Sequence, residues 1–189
     1  PQKIDQKLIS HINDLTLKII KLKNVYDVFN INKAPILFLN KTSLSNLSSQ
    51  NIETINNTNL QLNDVLDEFS KNPFYKDQII NDKKNITSII IYLNKNIKLN
   101  KIINDLKSDR NNYQLKKEYY ELKNKNDLER NNLIKNLRDI IQETDTNYEY
   151  FLGGIDMITD DVISFVKKDI LIFSIFALFI ILVVLFIIF

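Results

Sequence analysis

The chain has 189 residues, 44% of them hydrophobic, with 25 Lys and Arg against 23 Asp and Glu and a net charge of +2. Acid and base are interspersed, so no basic stripe offers itself to a nucleic acid, and the lack of cysteine excludes disulfides, thiolate metal sites and cysteine nucleophiles. With one histidine, His11, and two glycines, Gly153 and Gly154, there is neither a Ser-His-Asp set nor a glycine-rich phosphate loop, so no cofactor and no enzymatic activity are expected.

Ile4, Leu8, Ile12, Leu15, Ile19 and Leu22 recur at three and four residues and predict an amphipathic helix of about five turns, stopped by Asn24. His11 lies on that helix as a surface or boundary residue. Val25–Ile31 reads as a strand, and Ala34-Pro35 ends it because proline has no donor for a continuing ladder. Lys41–Asn59, rich in Ser, Thr and Asn, reads as a long surface connection. Leu60, Leu62, Val65, Leu66 and Phe69 predict a short helix, and Asn72-Pro73-Phe74-Tyr75 a turn with two aromatics to bury. After a polar turn at Asn81–Lys84 comes Ile86–Leu93, ITSIIIYL, whose near-continuous apolarity predicts a central strand buried on both faces.

A helical excursion covers about residues 99–143, apolar at Leu99, Ile102, Ile103 and Leu106, polar from Lys107 to Asn126, and apolar again at Leu128, Ile134, Leu137 and Ile141. That pattern predicts two helices joined near Lys123–Asp127, with one uninterrupted helix as the alternative. Tyr148–Leu152 reads as a last short strand. The order of elements, with one further strand placed before Ile4, is that of a split βαβ, ferredoxin-like α+β domain with an antiparallel sheet. The missing first strand and Pro1 in the first position suit a chain cut from something longer.

From Ile170 to Phe189 no residue is charged, and only Ser174 carries a polar side chain. Twenty such residues match a hydrocarbon core of about 30 Å, with an insertion free energy on the order of −8 kcal/mol. Upstream, Ile155, Ile158, Val162 and Phe165 share one helical face while Asp156, Asp160, Ser164 and Lys167 share another. Gly153 and Gly154 allow a sharp turn into this helix, and no breaker separates it from the span, so one nearly continuous rod is expected. The domains are thus residues 1–153, an α+β domain; 154–169, an amphipathic juxtamembrane helix; and 170–189, a transmembrane helix. The adjacent carboxylates Asp160-Asp161 and Asp67-Glu68 read as solvated helix faces, and the aromatic pairs Phe74-Tyr75 and Tyr119-Tyr120 as packing.

Three stretches together resemble exporters of the resistance-nodulation-division (RND) superfamily with MMPL-type membrane domains. Tyr150–Phe173, YFLGGIDMITDDVISFVKKDILIF, is similar to that family's strand ending in Leu-Gly-Gly, Met-Ile, an acidic residue, an apolar-basic stretch and Asp-Leu entering the second membrane helix. Asn24–Phe38 resembles its strand leading to a Val-Pro-Leu segment, and Asn72–Leu93 its Ser-Pro-x-Tyr segment, polar turn and Thr-rich strand. Asp156 stands where the family usually has proline, and Asn24 where glycine is common.

The resemblance implies a piece of a multi-pass protein of the bacterial inner membrane, with residues 1–168 on the periplasmic side as a porter-like domain. Its implied partners are the lipid bilayer, the rest of the same transporter chain and a hydrophobic or lipid substrate, and a homo-oligomer is compatible with it. It further implies proton-motive-force-driven export, with the proton-relay carboxylates outside this chain. Gly153, Gly154, Asp156, Lys168 and Asp169 would be the structural coupling residues, the last two marking the outer membrane boundary. Two other readings start from the same residues: a tail-anchored helical interaction protein, and a sensor or solute-binding ectodomain on a single span.

Overall fold

The computed structural model describes residues 3–39, 53–144 and 147–188. Helix α1, Gln6–Ile19, begins where the Asp5 carboxylate accepts the Leu8 N–H at 2.8 Å, satisfying a donor that the first turn leaves open. Its Ile12, Leu15 and Ile19 are buried, as the spacing predicts, as is Ile9, while Leu8 is half-buried. The chain then reverses through Asn24 at φ +72°, a left-handed conformation that asparagine tolerates. Strand β1, Val25–Asn30, follows, with a bulge between Val25 and Asp27. It pairs antiparallel with β2, Ile89–Leu93, in the register Val28 to Ile91 and Asn30 to Ile89.

Between the strands, α2 (Leu62–Lys71) closes the core and ends at Asn72, before Pro73. Ile4, Ile9, Ile12, Ile31, Ala34, Ile36, Val65, Leu66, Phe69, Tyr75, Ile79 and Ile80 form one buried cluster. Phe69 meets Tyr75 edge to face, with ring centroids 5.0 Å apart. Of the two aromatics in the Asn72–Tyr75 turn only Tyr75 is buried; Phe74 is exposed, because the Asn72 carboxamide accepts the Phe74 N–H at 2.9 Å in a tight turn that leaves the ring in solvent. A buried polar chain runs beneath the sheet. Thr16 donates to the Ile12 carbonyl at 2.7 Å, Asn30 donates to Thr16 Oγ1 at 2.7 Å, and Asn32 donates to the Ile9 carbonyl at 2.9 Å.

The observed class is mixed α and β, with a two-stranded antiparallel sheet and five helices among the described residues. Three sequence expectations give way. The isoleucine run does not form a central strand: β2 has β1 as its one strand neighbour among the described residues, and Ile89, Ile90 and Ile91 are half-buried. It also starts later than Ile86. Asn81 Oδ1 captures the Asn85 and Ile86 N–H groups at 3.0 Å each, and Ser88 N–H donates to the Ile79 carbonyl at 3.0 Å, tying residues 85–88 to the preceding turn.

The break in the helical excursion is likewise elsewhere. Helix α3, Ile97–Ser108, stops at Asp109, and α4, Tyr113–Gln142, starts where Asn112 Oδ1 accepts the Leu115 N–H at 3.1 Å. Across Lys123–Asp127 the helix is unbroken, held by Lys123–Asp127 at 2.8 Å and Arg130–Asp127 at 3.4 Å. Finally, Tyr148–Leu152 does not form a strand. Of the polar connection Lys41–Asn59, residues 41–52 lie outside the described residues; from Glu53, whose carbonyl accepts the Ile36 N–H at 2.9 Å, the chain returns to the core. The chain divides into two compact units, Pro1–Leu122 and Lys123–Phe189, with the division inside α4.

Candidate functional site

In the second unit the last helix, α5, runs from Ile155 to Ile188 without a break, 34 residues or roughly 51 Å. It starts directly after Gly154, at φ +119°, whose carbonyl accepts the Ile158 N–H at 3.1 Å. Only glycine enters that backbone region freely, so the turn rests on this residue rather than on Gly153. Within α5 lies a stretch long and apolar enough to cross a membrane, and none of it is buried. The Ser174 hydroxyl inside that stretch donates to the Ile170 carbonyl at 2.7 Å, which satisfies it without water.

The start of α5 is clasped to the end of α4. Arg138 Nη2 lies 2.5 Å from Asp161 Oδ1, and Nη1 lies 3.7 Å from Asp160 Oδ2. Asn131, with its amide nitrogen turned toward the acceptors, bridges the Asp127 carbonyl and Asp160 Oδ1 at 2.9 Å each. Adjacent carboxylates on a helix diverge by about 100°, and the flat guanidinium is wide enough to serve both. The Asp160-Asp161 pair is therefore not a solvated face: the side chains are 17% and 32% exposed, and one cation bridges both carboxylates. Arg138, Asn131, Asp160 and Asp161 carry the geometry that sequence reasoning did not assign. The available signal was Arg138 itself, one of three arginines in a chain whose other cations are lysines.

The five residues singled out from the sequence fall into two groups. Gly153, Gly154 and the backbone of Asp156 sit at the N-terminal end of α5, while Lys168 and Asp169 are exposed roughly 20 Å further along the same helix. The helix joins the two groups; no contact brings them together.

In the first unit a cavity of about 420 Å³ is lined by Phe38, Leu39, Asp64, Asp67, Glu68 and Lys71. Its buried carboxylate is already committed. Glu68 accepts the N–H groups of Leu37, Phe38 and Leu39 at 2.6, 3.1 and 2.8 Å and so fixes the segment after Pro35. Asp67 pairs with Lys84, whose hydrogen bond holds the carboxyl below its usual range. No group of three or more His, Asp or Glu among the described residues could hold a metal ion. What the arrangement does chemically is pair and hold charge. No protein-family model, no curated protein and no solved structure matches this chain.

Proposed function

We propose that this chain is part of a proton-motive-force-driven exporter of the RND superfamily, MMPL type, which moves lipids or other hydrophobic compounds. Residues 1–153 act as its extracytoplasmic, ferredoxin-like porter domain and handle the substrate; α5 couples that domain to the membrane. The observation that carries the reading is the unbroken α5, clasped by Arg138 at its start and free of charge beyond Asp169. A helix of this kind passes displacement in the bilayer to the domain outside it without a hinge. The antiparallel pairing of β1 with β2 supports the finer fold, since those are the second and third strands of a split βαβ and lie side by side there. The Leu-Gly-Gly junction and the Asp-Leu entry to the span, Leu152–Gly154 and Asp169–Leu171, support the family.

In this mechanism movement of the span, driven by proton transfer elsewhere in the protein, rotates the Gly154 end of α5. Lys168 and Asp169 stay at the outer boundary of the inner membrane, and the clasp passes the rotation to α4. A flexible Gly-Ser spacer inserted after Lys168 in the full-length protein abolishes transport and leaves the fold intact, as read by substrate efflux and far-UV circular dichroism. Undiminished efflux by the spacer variant would sink the coupling mechanism. A second reading, a single-span tail-anchored interaction protein, draws on α4, a 30-residue polar helix that exposes Tyr113, Tyr120 and Leu128. Sequencing the parent gene beyond the Phe189 codon decides between them: further spans with an intramembrane Asp favour the exporter, a stop codon the anchor.

A further inference from the structure

Helix α4 crosses α5 rather than running beside it. Asn131 and Arg138, seven residues or roughly 10 Å apart along α4, both reach Asp160, and Arg138 goes no further than Asp161. Side-by-side helices would set Arg138 against a residue about seven positions from Asp160, so the two axes meet at a steep angle. Around α4, the side that meets α5, with Asp127, Asn131 and Arg138, lies between two others. One is the buried side, Leu133, Ile134 and Leu137; the other is an open side, Lys125, Leu128, Asn132, Lys135 and Asp139.

One of these two sides faces along α5 toward the apolar stretch, and the burial of α5 decides which. Met157, Thr159, Asp160 and Asp161 are half-buried, and every described residue from Val162 onward is exposed. Cover therefore ends at the level of the clasp: the packed side of α4 faces back toward Gly154, and its open side faces the span. A span beginning at Ile170 leaves Asp160 and Asp161 roughly 15 Å above the hydrocarbon. A helix lying across α5 at that height, with a radius of about 5–6 Å, brings its lower surface within a few ångströms of a headgroup layer about 5–7 Å thick. Extended lysine side chains cover that interval.

We propose that α4 lies along the bilayer surface, with Leu128 against the headgroup layer and Lys125 and Lys135 on its phosphates. Leu128 is 65% exposed in the middle of the open side. Lys125 and Lys135 have no ion-pair partner among the described residues, and between them and the end of the open side stands a single acid, Asp139. Position fixes the occupant: the same helix that enters the membrane holds α4 at a set height over it, and the lysines match the charge of lipid phosphates. The inference rests on reading Ile170–Phe189 as a membrane span and is indifferent to whether the protein exports lipid.

The chain is free of cysteine, so single-cysteine variants carrying a bimane label report the contact directly. The full-length protein, any cysteine outside this chain being replaced by serine, is placed in vesicles of phosphatidylglycerol and phosphatidylcholine, the latter bearing a nitroxide on its headgroup. Lys168→Cys marks the membrane boundary, and Phe151→Cys, at a 90% exposed position before the start of α5, marks solvent. The nitroxide quenches the label at Leu128→Cys about as strongly as at Lys168→Cys and leaves that at Phe151→Cys bright. Lys125→Glu combined with Lys135→Glu lowers the quenching at Leu128→Cys about fivefold. Quenching at Lys168→Cys with Leu128→Cys as bright as Phe151→Cys overturns the proposal and leaves the span in place. No quenching at Lys168→Cys removes the span and the proposal with it. Quenching at Leu128→Cys that ignores the charge reversal, or that Phe151→Cys shares, overturns the proposal as well; the latter is what a domain resting on lipid in no fixed orientation gives.

Discussion

Gly154 holds φ +119° and Gly153 does not enter the left-handed region, although a side chain at either would meet nothing within 4 Å. The difference between them is therefore one of backbone alone. Gly154→Ala costs about 1–3 kcal/mol, while Gly153→Ala stays within about 0.5 kcal/mol, measured by denaturant unfolding in micelles; equal costs would remove the special role of Gly154. Tyr75 makes a second residue-scale case. Its hydroxyl donates to the Pro35 carbonyl at 3.0 Å, and burial, aided by the charge of Glu68, pushes its pKa up to about 12 from 10.0. The folded chain then keeps a proton that the unfolded chain releases above the ordinary tyrosine pKa. The contribution of Tyr75 is constant below pH 10 and is lost as pH rises toward about 12. Unfolding midpoints of wild type and Tyr75→Phe followed over that interval differ in slope, the wild type falling faster; parallel curves would show that Tyr75 titrates normally. Nothing in the sequence distinguishes Tyr75 from Phe74 beforehand, since which aromatic faces the core is decided by the Asn72 side chain closing the turn.

Elements were legible where a periodic apolar face coincides with a cap. Helix α1 has both, and its buried Ile12, Leu15 and Ile19 follow from spacing alone. Polarity alone points to a joint at Lys123–Asp127, but the joint between α3 and α4 lies at Asp109–Asn112. Lys123–Asp127 is polar yet spaced for ion pairing along a helix, whereas Asp109–Asn112 supplies the capping side chains. Strand β2 lies at the edge for a related reason: a run of isoleucines is compatible with half-burial as well as with burial on both faces. The α4–α5 clasp was invisible to local reading, because Arg138 and Asp161 are 23 residues apart and nothing in either helix names the other. Replacing Arg138 with Met leaves two adjacent carboxylates without their cation. The pairs are partly solvated, so the loss is about 1 kcal/mol, seen as a roughly fivefold faster amide exchange over the first turns of α5. Unchanged exchange there would show that the clasp does not hold the helix.

At the scale of the whole molecule, the sequence announces plainly a helix long and apolar enough to cross a membrane, because that property depends on composition summed over a length and not on tertiary contacts. The division inside α4 is not announced, since a continuous helix carries no boundary signal where it passes from one set of contacts to another.

Because α5 has no break between Gly154 and the span, it also stores an angle by counting residues. Each residue added to it turns everything beyond by about 100° and shifts it by about 1.5 Å. One alanine inserted between Ser164 and Phe165 leaves the Arg138 clasp in place and swings the span through more than a quarter turn. Seven inserted residues bring the azimuth back to within about 20° while lengthening the helix by about 10 Å. In the proposed exporter, transport that depends on azimuth is lost with one alanine and returns with seven residues, whereas transport that depends on height tolerates one and fails with seven. Efflux measured in the two variants tells which of the two quantities the helix delivers.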